Sequence, residues 1–191
     1  CGCRSSAWPG WPGRWWPSTS EAAPPAWPDV FPGVTAALTR VRTPTAAARD
    51  RLTDPPHPAL GLACYQVGEL QRLRGELDAA AESYRRASNA GFQPMPGLAL
   101  LELARGETRS AVASIRRALG EAGQPFQRPA LLAAAVEIHA AAGDVATARD
   151  GADELGRLAS GTRSEVLGAM AEHAIGTVLL ATGDATDALV R

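Results

Sequence analysis

Lysine is missing from this chain: all 19 of its basic residues are arginine. That absence excludes a phosphate loop closing on Lys-Ser/Thr, a Schiff base and a lysine general base. Cysteine is nearly as scarce. Cys1 and Cys3 stand in an odd N-terminal tail and Cys64 stands alone, so neither a disulfide framework nor a zinc pattern follows. The three histidines, His57, His139 and His173, include no pair at the i, i+3 or i+4 spacing that puts two ligands on one helix face. No apolar run approaches the roughly 18 residues needed to span a bilayer. The N-terminus also lacks a charged start leading into an apolar signal core, and a cytoplasmic protein without membrane contact is expected. A formal net charge of −1 supplies no general attraction to nucleic acid.

What is present divides sharply near residue 60. All but four of the 15 prolines (Pro94, Pro96, Pro125, Pro129) precede it, as do all five tryptophans, Trp8, Trp11, Trp15, Trp16 and Trp27. Residues 1–33 have no period and read as an irregular or disordered tail. Its tryptophans are unusual for disorder. The tail reads either as a fragment edge or out-of-frame translation of GC-rich DNA, or as a tryptophan-rich segment that docks on a partner. Residues 34–59 read as a helical segment with Leu38, Val41 and Leu52, followed by the proline linker that stops it.

Residues 60–191 carry a repeat. Gly75-Glu-Leu-Asp-Ala-Ala80, Gly106-Glu-Thr-Arg-Ser-Ala111, Gly143-Asp-Val-Ala-Thr-Ala148 and Gly183-Asp-Ala-Thr-Asp-Ala188 share a glycine, an acid, three variable positions and an alanine. Such a pattern suits the turn between two antiparallel helices: glycine accepts the left-handed backbone, and a small residue lets the second helix approach the first. Ala80, Tyr84 and Ala87, then Ala111, Ile115 and Ala118, then Ala148, Ala152 and Leu155 fall at i, i+4 and i+7 on one face of each second helix. Arg85, Arg86, Arg116 and Arg117 fall on the other. Pro96, Pro129 and Ser164 suit first-helix starts. Gly68, Ala99, Val136 and Gly176, seven residues before each glycine, suit tight packing. The reading is four helix pairs, with the last cut within its second helix.

This text resembles the tetratricopeptide repeat, whose period is about 34 residues. More closely, the stretches from Cys64 to Gly75, Ala81 to Ala87, Pro94 to Gly106 and Ile115 to Leu119 resemble the helical middle region of actinobacterial LuxR-type transcriptional regulators. Arginine and alanine in place of lysine agree with such a GC-rich source. The resemblance implies an all-α, tetratricopeptide-like solenoid of antiparallel helix pairs. It also implies a regulatory role in a parent protein whose DNA-binding helix-turn-helix and nucleotide-binding module are missing here. DNA binding belongs to that parent and not to this chain alone.

No enzyme is expected and no cofactor. The histidines read as surface or groove residues, Cys64 as a small buried thiol, and Asp153 and Glu154 as solvated helix surface. The feature with most promise is a groove along the first helices, formed by Tyr65, Glu69, Arg72, Leu100, Leu103, Glu137, Ala140, His173, Thr177 and Leu180. Apolar and mildly acidic, it suits a protein partner: the chain's own missing domains, another subunit or an amphipathic peptide. A free-standing adaptor binding such a peptide is the second reading. The last pair is expected to fray over residues 184–191 and to leave an apolar face for self-association.

Overall fold

The computed structural model describes residues 45–53, 57–123 and 125–188. Among the described residues there is helix and turn but no strand. A short helix over residues 45–51 is followed by α1 (Leu60–Leu73), α2 (Leu77–Asn89), α3 (Gly97–Ala104), α4 (Thr108–Glu121), α5 (Arg128–Ala141), α6 (Val145–Ser160), α7 (Glu165–Thr182) and the single turn α8 (Ala185–Ala188). The expected tail, and the segment up to residue 44, lie outside the described residues.

The four turns have one construction. Gly75, Gly106, Gly143 and Gly183 sit at φ between +75° and +90°. In each, the acid after the glycine donates its N–H to the carbonyl five residues back, Gln71, Glu102, His139 and Leu179 in turn, at 2.9 Å in all four. The glycine N–H bonds three residues back, which completes a Schellman close. That same acid then opens the second helix, its carbonyl accepting from the repeat alanine (Ala80, Ala111, Ala148, Ala188) at 2.9–3.1 Å. One residue thus ends the first helix and starts the second, which leaves three residues for the reversal in the first three turns and two in the last. Asp144 also caps with its side chain, 3.2 Å from the Thr147 N–H. A fifth left-handed glycine, Gly91, closes α2 in the same way through Phe92 and was not anticipated.

The repeat alanines and their i+4 and i+7 companions are buried in α2, α4 and α6, with exposures of 5 % or less. Each core spans a second helix and the first helix that follows it. Ala80 and Tyr84 meet Leu101. Ala111, Ile115 and Ala118 meet Leu131, Ala134, Ala135 and Ile138. Ala148, Ala152 and Leu155 meet Leu132, Val136 and Val178. Helix α5 feeds two of these cores from opposite sides, which is why its apolar residues show no single stripe.

Consecutive helices touch, and so do α1 with α3, α3 with α5 and α5 with α7; among the described residues α2, α4 and α6 make no contact with one another. First helices therefore stand closer together than second helices. Of the tight positions, Gly68, Ala99 and Val136 are buried and Gly176 is half-buried.

Candidate interaction surface

Tyr65, Glu69 and Arg72 share one face of α1 and converge on Tyr84 of α2. The Tyr84 hydroxyl donates to Glu69 Oε1. Arg72 donates from Nη2 to Glu69 Oε2 at 2.9 Å. Burial pushes Tyr65 up to about 12, with the Glu69 carboxylate adding to it. Tyr84 is raised further, again by burial first and then by Glu69. Burial alone would lower Arg72, but the Glu69 carboxylate outweighs it and raises it, so the guanidinium stays charged. Backbone accommodates this cluster: a Cβ on Gly68 would meet Tyr84 Cε1 at 2.6 Å, and one on Gly97 would meet the Tyr84 hydroxyl at 2.7 Å. Tyr65 stacks at a tilt on Tyr84 and Phe92, with centroids 5.8 and 5.3 Å away. Both Glu69 oxygens are thus taken up by Tyr84 and Arg72, while Arg72 Nε is buried with no hydrogen-bond partner.

Further along, Leu100 and Leu103 of α3 are half-buried and pack against the central core. On α5, Glu137 is exposed while Ala140 is buried. His173 and Leu180 are exposed on α7, and Thr177 turns its hydroxyl back onto the His173 carbonyl at 2.9 Å. The expected groove residues thus fall into an engaged set on α1, a half-buried apolar pair on α3, and Glu137, His173 and Leu180 exposed on α5 and α7, with Ala140 buried.

His139 departs from expectation. It is 2 % exposed, inside the stack rather than on its surface or groove. Aligned on Gly75, Gly106 and Gly143, four residues before each stand Gln71, Glu102 and His139, and eight after stand Ser83, Ser114 and Gly151. In the first unit the two positions bond, Ser83 donating to Gln71 Oε1 at 2.6 Å, whereas Glu102 Oε2 in the second is buried with no hydrogen-bond partner. The third unit has Gly151 at the later position, where an added Cβ would meet Val136 Cγ2 at 3.1 Å. The His139 Nδ1 lies 3.3 Å from Asp144 Oδ2, off the line of a good hydrogen bond, and Arg116 reaches the same oxygen at 3.5 Å. Burial, then the Arg116 charge, holds His139 below its ordinary value against the pull of Asp144.

A histidine with a folded-state pKa below its unfolded one binds more protons when unfolded. Stability is then full above the ordinary value of about 6.5 and falls as pH drops through it towards the lower folded value. Urea titrations should show stability decreasing on acidification below that point, with a slope of at most about 1.4 kcal/mol per pH unit from this group. His139→Gln should flatten the slope; an unchanged slope would place the proton elsewhere.

The remaining candidates are quickly placed. Burial raises the Cys64 thiol against the weaker pull of Arg49 and Arg86, so it is a poor nucleophile. Arg85 and Arg86 both pair with Glu82, at 2.7 and 2.9 Å. Asp153 is exposed as expected, whereas Glu154 is half-buried and takes a hydrogen bond from Arg128 of α5 at 2.5 Å. Arg105 ties the second pair to the first through Asp78 at 2.7 Å. Among the described residues no group of three or more His, Cys, Asp or Glu could hold a metal ion. No helix there is long and apolar enough to cross a membrane. Compared with family models, curated proteins and solved structures, the chain finds no match in any of the three.

Proposed function

We propose that this chain is a non-catalytic, tetratricopeptide-like scaffold, the regulatory region of a LuxR-type transcriptional regulator, which engages a protein segment along the inner face of its first helices. The observation that carries the reading is the spacing of the helices: first helices touch from pair to pair and second helices do not. A curved stack of this kind presents a long inner surface. Its accessible residues, Glu137, His173 and Leu180, with Leu100 and Leu103 behind them, combine one acid with apolar area. That chemistry matches an amphipathic helix with a basic edge. The buried His139 and the raised Cys64 thiol favour a binding role over a reaction.

An NMR titration of the full chain with a basic amphipathic helical peptide tests this. Shifts are expected on α1, α3, α5 and α7, with Glu137→Lys weakening the complex. Shifts confined to α2, α4 and α6, or no binding, would sink the proposal. Duplex DNA should not bind, since the arginines are interspersed with 20 acidic residues.

A further inference from the structure

Helices α3 and α5 each touch the next first helix, but α7 has a stripe that no described residue covers. Val166, Ala169, His173 and Leu180 are exposed, and Gly176 lies half-buried in the same row. They fall at intervals of three, four and seven, the spacing of a helix-helix seam. The seam is neutral along its length apart from the imidazole, and at its middle Ala169 and Gly176 are small enough for close backbone approach.

We propose that α7 pairs with α7 of a second copy of this chain, antiparallel, about a two-fold axis passing beside His173. The stripe is symmetric about that residue at its ends and one position out of symmetry inside them. Val166 lies seven positions before it and Leu180 seven after, while Ala169 and Gly176 lie four before and three after. Reversing one copy therefore sets Val166 against Leu180 and brings Ala169 within one residue of Gly176, with the two His173 residues at the centre. Charge selects this direction. Just outside the helix, Arg163 stands at one end and Asp184 at the other, both exposed. An antiparallel pair brings Arg163 of each copy to Asp184 of the other, at both ends of the seam. A parallel pair would set Arg163 against Arg163 and Asp184 against Asp184. The isologous arrangement also closes after two copies, whereas stacking α7 onto the exposed Leu62 and Leu73 of α1 would propagate without end. His173 and Leu180 also belong to the surface proposed above for a peptide, so a second copy and a peptide would compete for α7.

Sedimentation equilibrium of the full chain under reducing conditions tests it, with circular dichroism confirming that each variant is folded. The wild-type chain of 19.9 kDa is expected to show a concentration-dependent equilibrium with a species of twice that mass and nothing larger. Ala169→Arg, at an exposed site, should abolish it. Arg163→Asp should weaken it about tenfold by placing like charges together, and adding Asp184→Arg should restore it. A chain that stays monomeric at every concentration would overturn the proposal. So would association that survives Ala169→Arg, or association that is lost on Leu62→Glu instead.

Discussion

Tyr84→Ala should destabilise the chain by about 3–5 kcal/mol, the usual range for deleting a fully buried aromatic ring. Tyr84 is 1 % exposed, and its ring fills the space that Gly68 and Gly97 leave open between the first two helix pairs. Its loss also removes the donor to Glu69. Tyr84→Phe isolates that second part and should lose about 1–3 kcal/mol, since the ring stays and the carboxylate forfeits one partner. Gly68→Ala should cost about 1–3 kcal/mol by overpacking, yet much less in the Tyr84→Ala background, where the added methyl enters the vacated space. Urea unfolding of the four proteins measures the coupling. Additive effects of the Gly68 and Tyr84 substitutions would show that the ring and the glycine do not contend for the same volume.

Leu155→Ala is expected to lose about 2–5 kcal/mol, but unevenly along the stack. Leu155 is fully buried in the core that joins α5, α6 and α7. In a stack where each pair contacts only its neighbours, stability is nearly a sum of local and nearest-neighbour contributions. A cavity there should therefore uncouple the last pairs first. Hydrogen exchange read residue by residue should show amides of α6 and α7 losing protection while α1 to α4 keep theirs. Equal loss across all helices would mean that the array unfolds as one cooperative block.

The turns and the buried faces of the second helices were legible because they depend on short-range chemistry. A glycine at positive φ, an acid that is at once the end of one helix and the start of the next, and an alanine five positions after the glycine are all neighbours in sequence, and repetition made them visible. The same reasoning reached Ala80, Tyr84 and Ala87 and their counterparts in α4 and α6, since a helix puts i, i+4 and i+7 on one side whatever surrounds it. Gly91 was missed because the link it closes joins one pair to the next, where lengths vary and no repeat marks the glycine.

The sequence by itself thus determined that the chain turns at Gly75, Gly106, Gly143 and Gly183 and which side of each second helix is apolar. Only the tertiary structure decided what the first helices face. Helix α5 is apolar nearly all round, so no periodicity could assign Leu131 and Ile138 to one core and Leu132 and Val136 to the next. Whether Glu69 is a free acid in a groove or the acceptor for Tyr84 depends on two helices meeting at a particular height and angle. His139 is 2 % exposed although nothing in its own helix sets it apart from a surface histidine. Lateral packing brings together residues that share no local pattern, and that is why these assignments required the fold.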